Sequence, residues 1–475
     1  MIKNKKEVKM ANIFPCPSCG GELRYDIKDK KLKCLSCDES FEADTYKSKF
    51  MDEGEKAVKF PIYRCKNCAG EIVGNDIDSM EFCPYCGTQI VLSEKFSETG
   101  APKFIIPFSI SKEDCKKEYK NMTSSVAFLP DELKSEEGLN KFVGLYTPYW
   151  LFNYEAKINI KTSGIKRYTK GSYDYTEKAK LSIDVDYDNL IVSYDASDTL
   201  DDTISHKVEP FYLNHAIEFN PNYMAGFYAE NSNVKSDGYK HFADKKSDEM
   251  LVGEIKGSSP EGFTPLINED DEYKLLEKKA YKGVEGAYLP LWFLTTKNKD
   301  RVAYTIVNGQ SGRMYSELPV DIKKYIGASL IASLIFAFIF IFIIGSIPIK
   351  SIATIGILFS IVMIVLTSYQ SKKIYEKENH INDIGYQLTK KENKGNRKKP
   401  YRKVIAAIFF SILGGVSALV LKILNPADDI FYYGVLMFIF VMLLLSILTM
   451  AKDYNRLATN PLPQFNKTGG GLDGK

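Results

Sequence analysis

The chain has 475 residues, with 63 Lys and Arg against 60 Asp and Glu and a net charge of +3. That length exceeds one ordinary domain, and the near balance of charge excludes a global bias toward polyanions. Met1–Lys6 is followed by no apolar stretch, so no cleavable secretory signal is expected.

Eight of the nine cysteines fall into two copies of one arrangement. Cys16-x-x-Cys19 is followed after fourteen residues by Cys34-x-x-Cys37, and Cys65-x-x-Cys68 after fourteen by Cys83-x-x-Cys86. Each Cys-x-x-Cys makes a knuckle whose two sulfurs point at one ion, and two knuckles complete a tetrahedron. The pattern predicts two structural Zn2+ sites, one on Cys16, Cys19, Cys34 and Cys37 and one on Cys65, Cys68, Cys83 and Cys86. Gly20 and Gly87 follow the second sulfur of a knuckle, where a positive φ closes the turn. A ribbon this short buries too little apolar area to fold alone, so the metal is expected to supply about 10 kcal/mol per site. Disulfides, a rubredoxin-like iron site and interleaved quartets joining Cys16 and Cys19 to Cys83 and Cys86 are the alternatives. Four sulfurs leave no open position, so a catalytic metal is not expected. The two ribbons are assigned to residues 1–50 and 51–100.

Residues 1–95 hold sixteen Lys and Arg against sixteen Asp and Glu. The loop Ala69–Phe82 carries Glu71, Asp76, Asp78 and Glu81 and no base. Phosphate neutralisation dominates nucleic-acid affinity, so a protein partner, or docking on the chain's own middle region, fits the ribbons better.

Residues 101–320 read as α+β. Ser111–Met122 and about Lys235–Ile255 have helical character. Gly144-Leu-Tyr-Thr-Pro-Tyr-Trp150 is echoed by Gly286-Ala-Tyr-Leu-Pro-Leu-Trp292, and these are the two tryptophans of the chain. An internal duplication accounts for the echo; coincidence is the alternative. Each motif is expected to open a strand, Leu151–Ile160 and Phe293–Val307, because Pro suits a strand start. Leu181, Ile183, Val185 and Tyr187 alternate with polar residues, which predicts a half-buried strand. That reading absorbs Asp184, Asp186, Asp188 and Asp195, whose spacing otherwise suggests a calcium loop; the loop's Gly and final Glu are missing. Tyr304–Gly312 reads as strand, Asn-Gly turn and second strand. His206, His215, His241 and His380 have no metal-ligand spacing. Cys115 lies beside Lys116 and Lys117, which is compatible with a lowered pKa, although a buried packing cysteine is the commoner outcome. The chain contains no nucleotide-binding or nucleophile-elbow motif, and no catalytic or cofactor-binding residue is assigned.

Four apolar runs are long enough to cross a bilayer as helices: Tyr325–Ile347, Ser351–Tyr369, Val404–Leu424 and Ile430–Met450. They make residues 321–451 a four-helix transmembrane region, followed by a flexible tail at 452–475. The intervening loop Gln370–Lys403 carries eleven Lys and Arg against four Asp and Glu, and the two short turns carry almost no base. By the positive-inside rule the protein is a multi-pass cell-membrane protein with both termini cytoplasmic. The cysteines then sit in a reducing compartment, which favours thiolate–metal sites over disulfides. The basic loop is expected to attract anionic lipid. No span has an ionisable residue near its centre, which argues against ion translocation. Small residues four apart, as in Ala328/Ala332 and Ser411/Gly415, suit helix packing within the bundle or between copies of a homo-oligomer.

The Cys-Gly-Gly-Glu-Leu wording at Cys19–Leu23, Phe104–Lys112, Gly144–Phe152, Tyr223–Glu230 and Gly286–Gly312 resemble a family of bacterial multi-pass membrane proteins described as containing a TFIIB-type zinc ribbon. Relatives in that family are sometimes labelled primosomal-helicase-like, but this sequence has no helicase ATP site. The resemblance implies a non-enzymatic membrane component, linked through some relatives with phage-shock and SPFH-type membrane-stress proteins. The expected architecture is thus multidomain, with two tandem zinc ribbons, an α+β middle region and a membrane tail. The expected function is a zinc-binding, membrane-anchored adaptor that recruits cytosolic or membrane proteins. The alternative is a membrane-tethered nucleic-acid binder or regulator.

Overall fold

The computed structural model describes residues 14–47, 59–73, 82–89, 97–260, 262–267, 278–344, 349–389, 402–424, 429–463 and 465. The first ribbon is a three-stranded antiparallel sheet of β1 (Leu23–Asp26), β2 (Lys31–Cys34) and β3 (Ser40–Glu42). Leu23, Tyr25, Leu32 and Cys34 face inward with the period of two that a half-buried strand imposes. Their core is shared: Leu23 and Leu32 belong to one cluster with Ile62, Val73, Ile105 and Phe108. Polar anchors fix the docking. Tyr25 N donates to Ala225 O at 2.9 Å. Asn222 Nδ2 donates to Ala43 O and Tyr46 O, both at 2.7 Å, and Tyr223 OH donates to Asp44 Oδ1 at 2.7 Å. The ribbon therefore packs on the chain's own middle region.

The second ribbon contributes β4 (Lys59–Arg64) and β5 (Glu71–Val73), and β6 (Ser97–Gly100) pairs with β4. Further along the chain come β7 (Phe104–Ile105), β8 (Val143–Lys170), β9 (Tyr173–Asp195), β10 (Ile217–Glu218), β11 (Tyr228–Glu230), β12 (Thr264–Leu266), β13 (Lys279–Asn298), β14 (Arg301–Asn308) and β15 (Met314–Ser316). The main sheet runs β10-β7-β13-β8-β11-β5-β4-β6, with β9 and β12 on β8 and β14 on β13. Strand β5 pairs with β11, Ala229 opposite Val73, so no break falls at the expected boundary near residue 100. The acidic residues Asp76, Asp78 and Glu81 lie outside the described residues.

The two Trp motifs meet. Strands β8 and β13 are antiparallel neighbours in which Gly144 faces Trp292, Thr147 faces Leu289 and Trp150 faces Gly286. Their surroundings match as well. Leu145 and Tyr146 pair in parallel with Tyr228 and Ala229, as Ala287 and Tyr288 pair with Phe104 and Ile105. Trp150 Nε1 donates to Val234 O, just before the Ser236–Gly257 helix. Trp292 Nε1 donates to Ile110 O, just before the Lys112–Ser124 helix, and both bonds are 2.8 Å. Both helices lie within a residue or two of their expected spans. Ser111 and Asp114 form a capping box on the first.

The first motif forms the opening residues of β8 itself, and the second lies inside β13, so neither precedes its strand. Pro148 sits between the last residue of β8 paired with β11 and the first paired with β9; Pro290 sits at the same switch between β7 and β14. A missing N–H costs little where no partner strand is present to accept it. In β9, Leu181, Ile183 and Val185 are buried while Asp184, Asp186 and Asp188 face solvent, the last two beside Lys157. The stretch is a strand and not a loop, as its alternation predicts. Residues 304–312 are likewise strand and turn, and β15 returns on β14.

Among the described residues, Ser351–Glu378, Ala406–Leu424 and Ile430–Leu457 are helices long and apolar enough to cross a membrane. The first expected span coincides with the helix Ile322–Ile344. The expected loop from Gln370 is partly helical, since the second apolar helix continues to Glu378 and Ile384–Thr389 forms another short helix. The expected flexible tail is ordered through residue 463: Asn460–Pro461 pairs with β14, and Arg456 bonds Glu378. Charge pairing accounts for both corrections. Lys377 reaches Glu317 at 2.6 Å, Arg301 Nη2 donates to Thr459 O at 2.9 Å, and Glu378 lies between Arg301 and Arg456. These bonds join the ends of two apolar helices to β14 and to Glu317, just after β15.

Candidate metal centres

The first centre is built on two knuckles, one preceding β1 and one following β2. Cys16 Sγ lies 3.7 Å from Cys37 Sγ, and Cys19 Sγ lies 3.5 Å from Cys34 Sγ. The second centre uses the knuckle between β4 and β5 and the knuckle at Cys83–Cys86. Cys65 and Cys86 sulfurs are 3.9 Å apart, and Cys68 and Cys83 sulfurs 3.8 Å apart. Within each quartet all four sulfurs lie within 4.8 Å of one another. A tetrahedron with metal–sulfur bonds of about 2.3 Å has edges near 3.8 Å. A disulfide needs about 2.05 Å. The residues fit a four-thiolate ion, pair within each repeat, and are not interleaved.

Local backbone explains the shape. The residue after the second sulfur takes a positive φ in all four knuckles: Gly20 at 74°, Asp38 at 59°, Ala69 at 63° and Gly87 at 65°. Its N–H turns back to the carbonyl of the first cysteine, as Gly20 N does to Cys16 O at 2.8 Å. The next amide points at sulfur: Gly21 N donates to Cys19 Sγ and Gly70 N to Cys68 Sγ, both at 3.4 Å. Such N–H donors stabilise thiolates.

The two centres differ in exposure. Cys19 and Cys37 are exposed, whereas Cys65, Cys68, Cys83 and Cys86 are all buried. The second centre is covered by Tyr85, whose carbonyl accepts from Tyr304 OH at 2.7 Å. Thr295 Oγ1 donates to Pro84 O. Phe465, from beyond the apolar helices, donates its N–H to Cys68 O at 2.9 Å and sets its ring edge-on to Tyr85. As bare thiols the buried four compete for protons. Donation from the Cys68 and Cys83 thiols draws Cys65 down to about 6, while Cys83, bonded to Cys65 and buried, is pushed well up. A divalent ion takes all four as thiolates together.

Cys115 lies elsewhere, buried in the Lys112–Ser124 helix. Burial, then Asp114 and Glu113, push its thiol up to about 12, opposite to the lowering that Lys116 and Lys117 suggest. His206 bonds Glu209 at 3.0 Å, while His215 and His241 are exposed. His380 is different. Its Nδ1 lies 3.1 Å from Asp383 Oδ2 and 3.7 Å from Asp201 Oδ2, forming a third cluster of possible ligands. No spacing in the sequence announces it, because Asp201 and His380 are brought together only by the fold.

No family model matches the chain, and no solved structure matches it. The chain is similar to the uncharacterized protein YdjG of Bacillus subtilis strain 168, with 26% identity over 322 residues, which cover 66% of this chain and 91% of that protein.

Proposed function

We propose that the protein is a non-enzymatic zinc protein of the cell membrane, in which a metal-braced cytosolic body presents a docking surface for other proteins. The observation that carries this reading is the asymmetry of the two centres. The second is sealed inside the sheet and serves as a structural brace. The first has its inner face docked on the middle region and turns its knuckle tips outward, with Cys19 and Cys37 exposed and Leu35 58% exposed between two ligand cysteines. A turn fixed by metal is preorganised for a contact, which lowers the ordering cost of binding a protein there.

The charge pattern favours protein over nucleic acid. On the first ribbon Arg24 pairs with Glu22, Lys31 with Glu42 and Lys33 with Asp38, which leaves less base for phosphate. The membrane-stress role rests on the family resemblance alone.

Contact parity supports four crossings with both ends cytoplasmic. Glu378 meets Arg301, and Asp202 accepts from Ile384 N at 2.6 Å, so the segment after the second apolar helix lies beside the body. Phe465 returns to Cys68 after the last helix. Each return needs an even number of crossings, which supports reading Ile322–Ile344 as a span. The paired Trp motifs, with their matching strands, helices and indole bonds, support an internal duplication of the middle region. Residues 390–401, which carry six of the eleven bases of the 370–403 loop, lie outside the described residues, and the attraction of anionic lipid to that loop rests on its charge.

The test is affinity capture from detergent-solubilised membranes by wild type and by Leu35→Asp, with zinc measured in both. Loss of specific protein partners at unchanged zinc content supports the reading. Identical partner sets end it, and salt-sensitive capture of DNA or RNA turns it toward the nucleic-acid alternative.

A further inference from the structure

Besides the cysteine quartets, a group of ligand-type side chains sits where the second apolar helix meets the cytosolic body. Asp201 comes from the body, on the turn that starts the Asp202–Ser205 helix. His380 and Asp383 come from the segment after the Ile349–Glu378 helix. One oxygen from each Asp and one imidazole nitrogen lie within 4.8 Å of one another. A cavity of about 250 Å³ opens onto all three, so an ion has a route in.

Two buried, unpartnered groups lie in the neighbourhood of this cluster. Tyr239 is fully buried, and its hydroxyl has no hydrogen-bond partner. Its hydroxyl lies 2.9 Å, and Asp383 Oδ1 3.7 Å, from where a Cβ on Gly385 would stand, so the phenol and the Asp383 carboxylate crowd the same glycine. Asp195 is 3% exposed, with neither oxygen bonded, and it feels the charges of Asp202, Glu230 and Asp383. Buried carboxylates without a counter-charge are costly. The neighbouring bases are already engaged, His206 by Glu209 and Lys377 by Glu317. His380 sits between two carboxylates, those of Asp201 and Asp383.

We propose that Asp201, His380 and Asp383 form a third metal site, for a divalent first-row ion, which clasps the cytosolic end of a membrane helix to the body. The donor set of two carboxylates and one imidazole, without sulfur, suits Mn2+ and accepts Zn2+, whereas the thiolate quartets select Zn2+ over Mn2+. That difference in softness makes the site separately observable. It also makes the attachment of helix to body depend on ion supply, because the ligands come from both sides of the junction.

The test uses the full chain in detergent, with zinc retained in the cysteine centres. Mn2+ is added, and its binding is followed by electron paramagnetic resonance and by elemental analysis after desalting. The expected result is one Mn2+ per chain beyond the two zinc ions, lost in Asp383→Asn and in His380→Ala with both zinc ions kept. Should either variant lose zinc and so fail to fold, the milder Asp201→Asn decides alone. The proposal is overturned if wild type binds no Mn2+ and no Zn2+ beyond two, the outcome expected of a purely protonic His–Asp pair. It is equally overturned if the variants bind as wild type does.

Discussion

Trp292 lies directly across the β8–β13 pair from Gly144, and the glycine has no room for more. A Cβ there would stand 2.6 Å from Phe227 Cδ1 and 3.3 Å from the Trp292 ring. At the matching position Gly286, a Cβ would meet the Trp150 ring at an ordinary 3.5 Å. Gly144→Ala is therefore expected to destabilise by about 1–3 kcal/mol and Gly286→Ala by clearly less. Denaturant unfolding of the full chain in detergent checks this, with fluorescence from Trp150 and Trp292 reporting at the site itself.

The unequal exposure of the two centres sets an order of metal loss. Under a chelator with a thiol-reactive probe, the zinc of the Cys16 quartet should leave first, with Cys19 and Cys37 labelled, while the Cys65 quartet holds. Cys19→Ser is expected to lower zinc from two ions to one with the body intact. Cys68→Ser is expected to abolish folding, since it opens a closed structural site inside the shared sheet. Equal rates of release from both centres would contradict the assignment. Cys115 should stay unlabelled until the chain unfolds.

The four left-handed knuckle residues make a paired test. Ala69 holds φ 63°, which costs an L-residue about 1–2 kcal/mol. Ala69→Gly should raise stability by about 1 kcal/mol. Gly87→Ala adds that strain and brings a Cβ to 2.9 Å from Thr295 O, so a loss of about 2–3 kcal/mol is expected. Zinc-loaded melting temperatures of the two variants should move in opposite directions.

Much of this was legible beforehand because it is local. Ligand spacing, the glycines after Cys19 and Cys86, the helix from Ser111 to Met122 and the alternation from Leu181 to Tyr187 each depend on a few neighbouring residues. The mid-strand prolines Pro148 and Pro290 misled because their tolerance depends on where partner strands begin and end. The joining of β5 to β11 and the meeting of Asp201 with His380 are pairings between distant segments, which periodicity does not encode. Cys115 misled for a related reason: adjacent lysines are visible in sequence, but burial is not.

Stability should also respond to pH through Glu230. Its carboxyl is fully buried, bonded to Ser197 Oγ at 2.5 Å, and burial raises it from 4.5 to about 7. Below pH 4.5 the folded and unfolded chains both hold the proton, and the group has no effect on stability. Between pH 4.5 and 7 the unfolded chain loses it first, so folding weakens as pH rises. The limit is about 3 kcal/mol above pH 7. Glu230→Gln should therefore stabilise the protein at pH 8 and leave it unchanged at pH 4. A variant with a pH-independent offset would show that the carboxyl titrates normally.

The bond from Phe465 to Cys68 has a consequence for biogenesis. The lid over the buried centre is supplied by a residue synthesised only after every apolar helix. In the membrane arrangement proposed above, the amino-terminal half waits, partly assembled, until those helices have been inserted. In that arrangement only a chain threaded in the proposed sense returns the lid to the waiting knuckle. Completion of the centre would then double as an inspection of topology, with misthreaded chains left with an open, protease-sensitive seam.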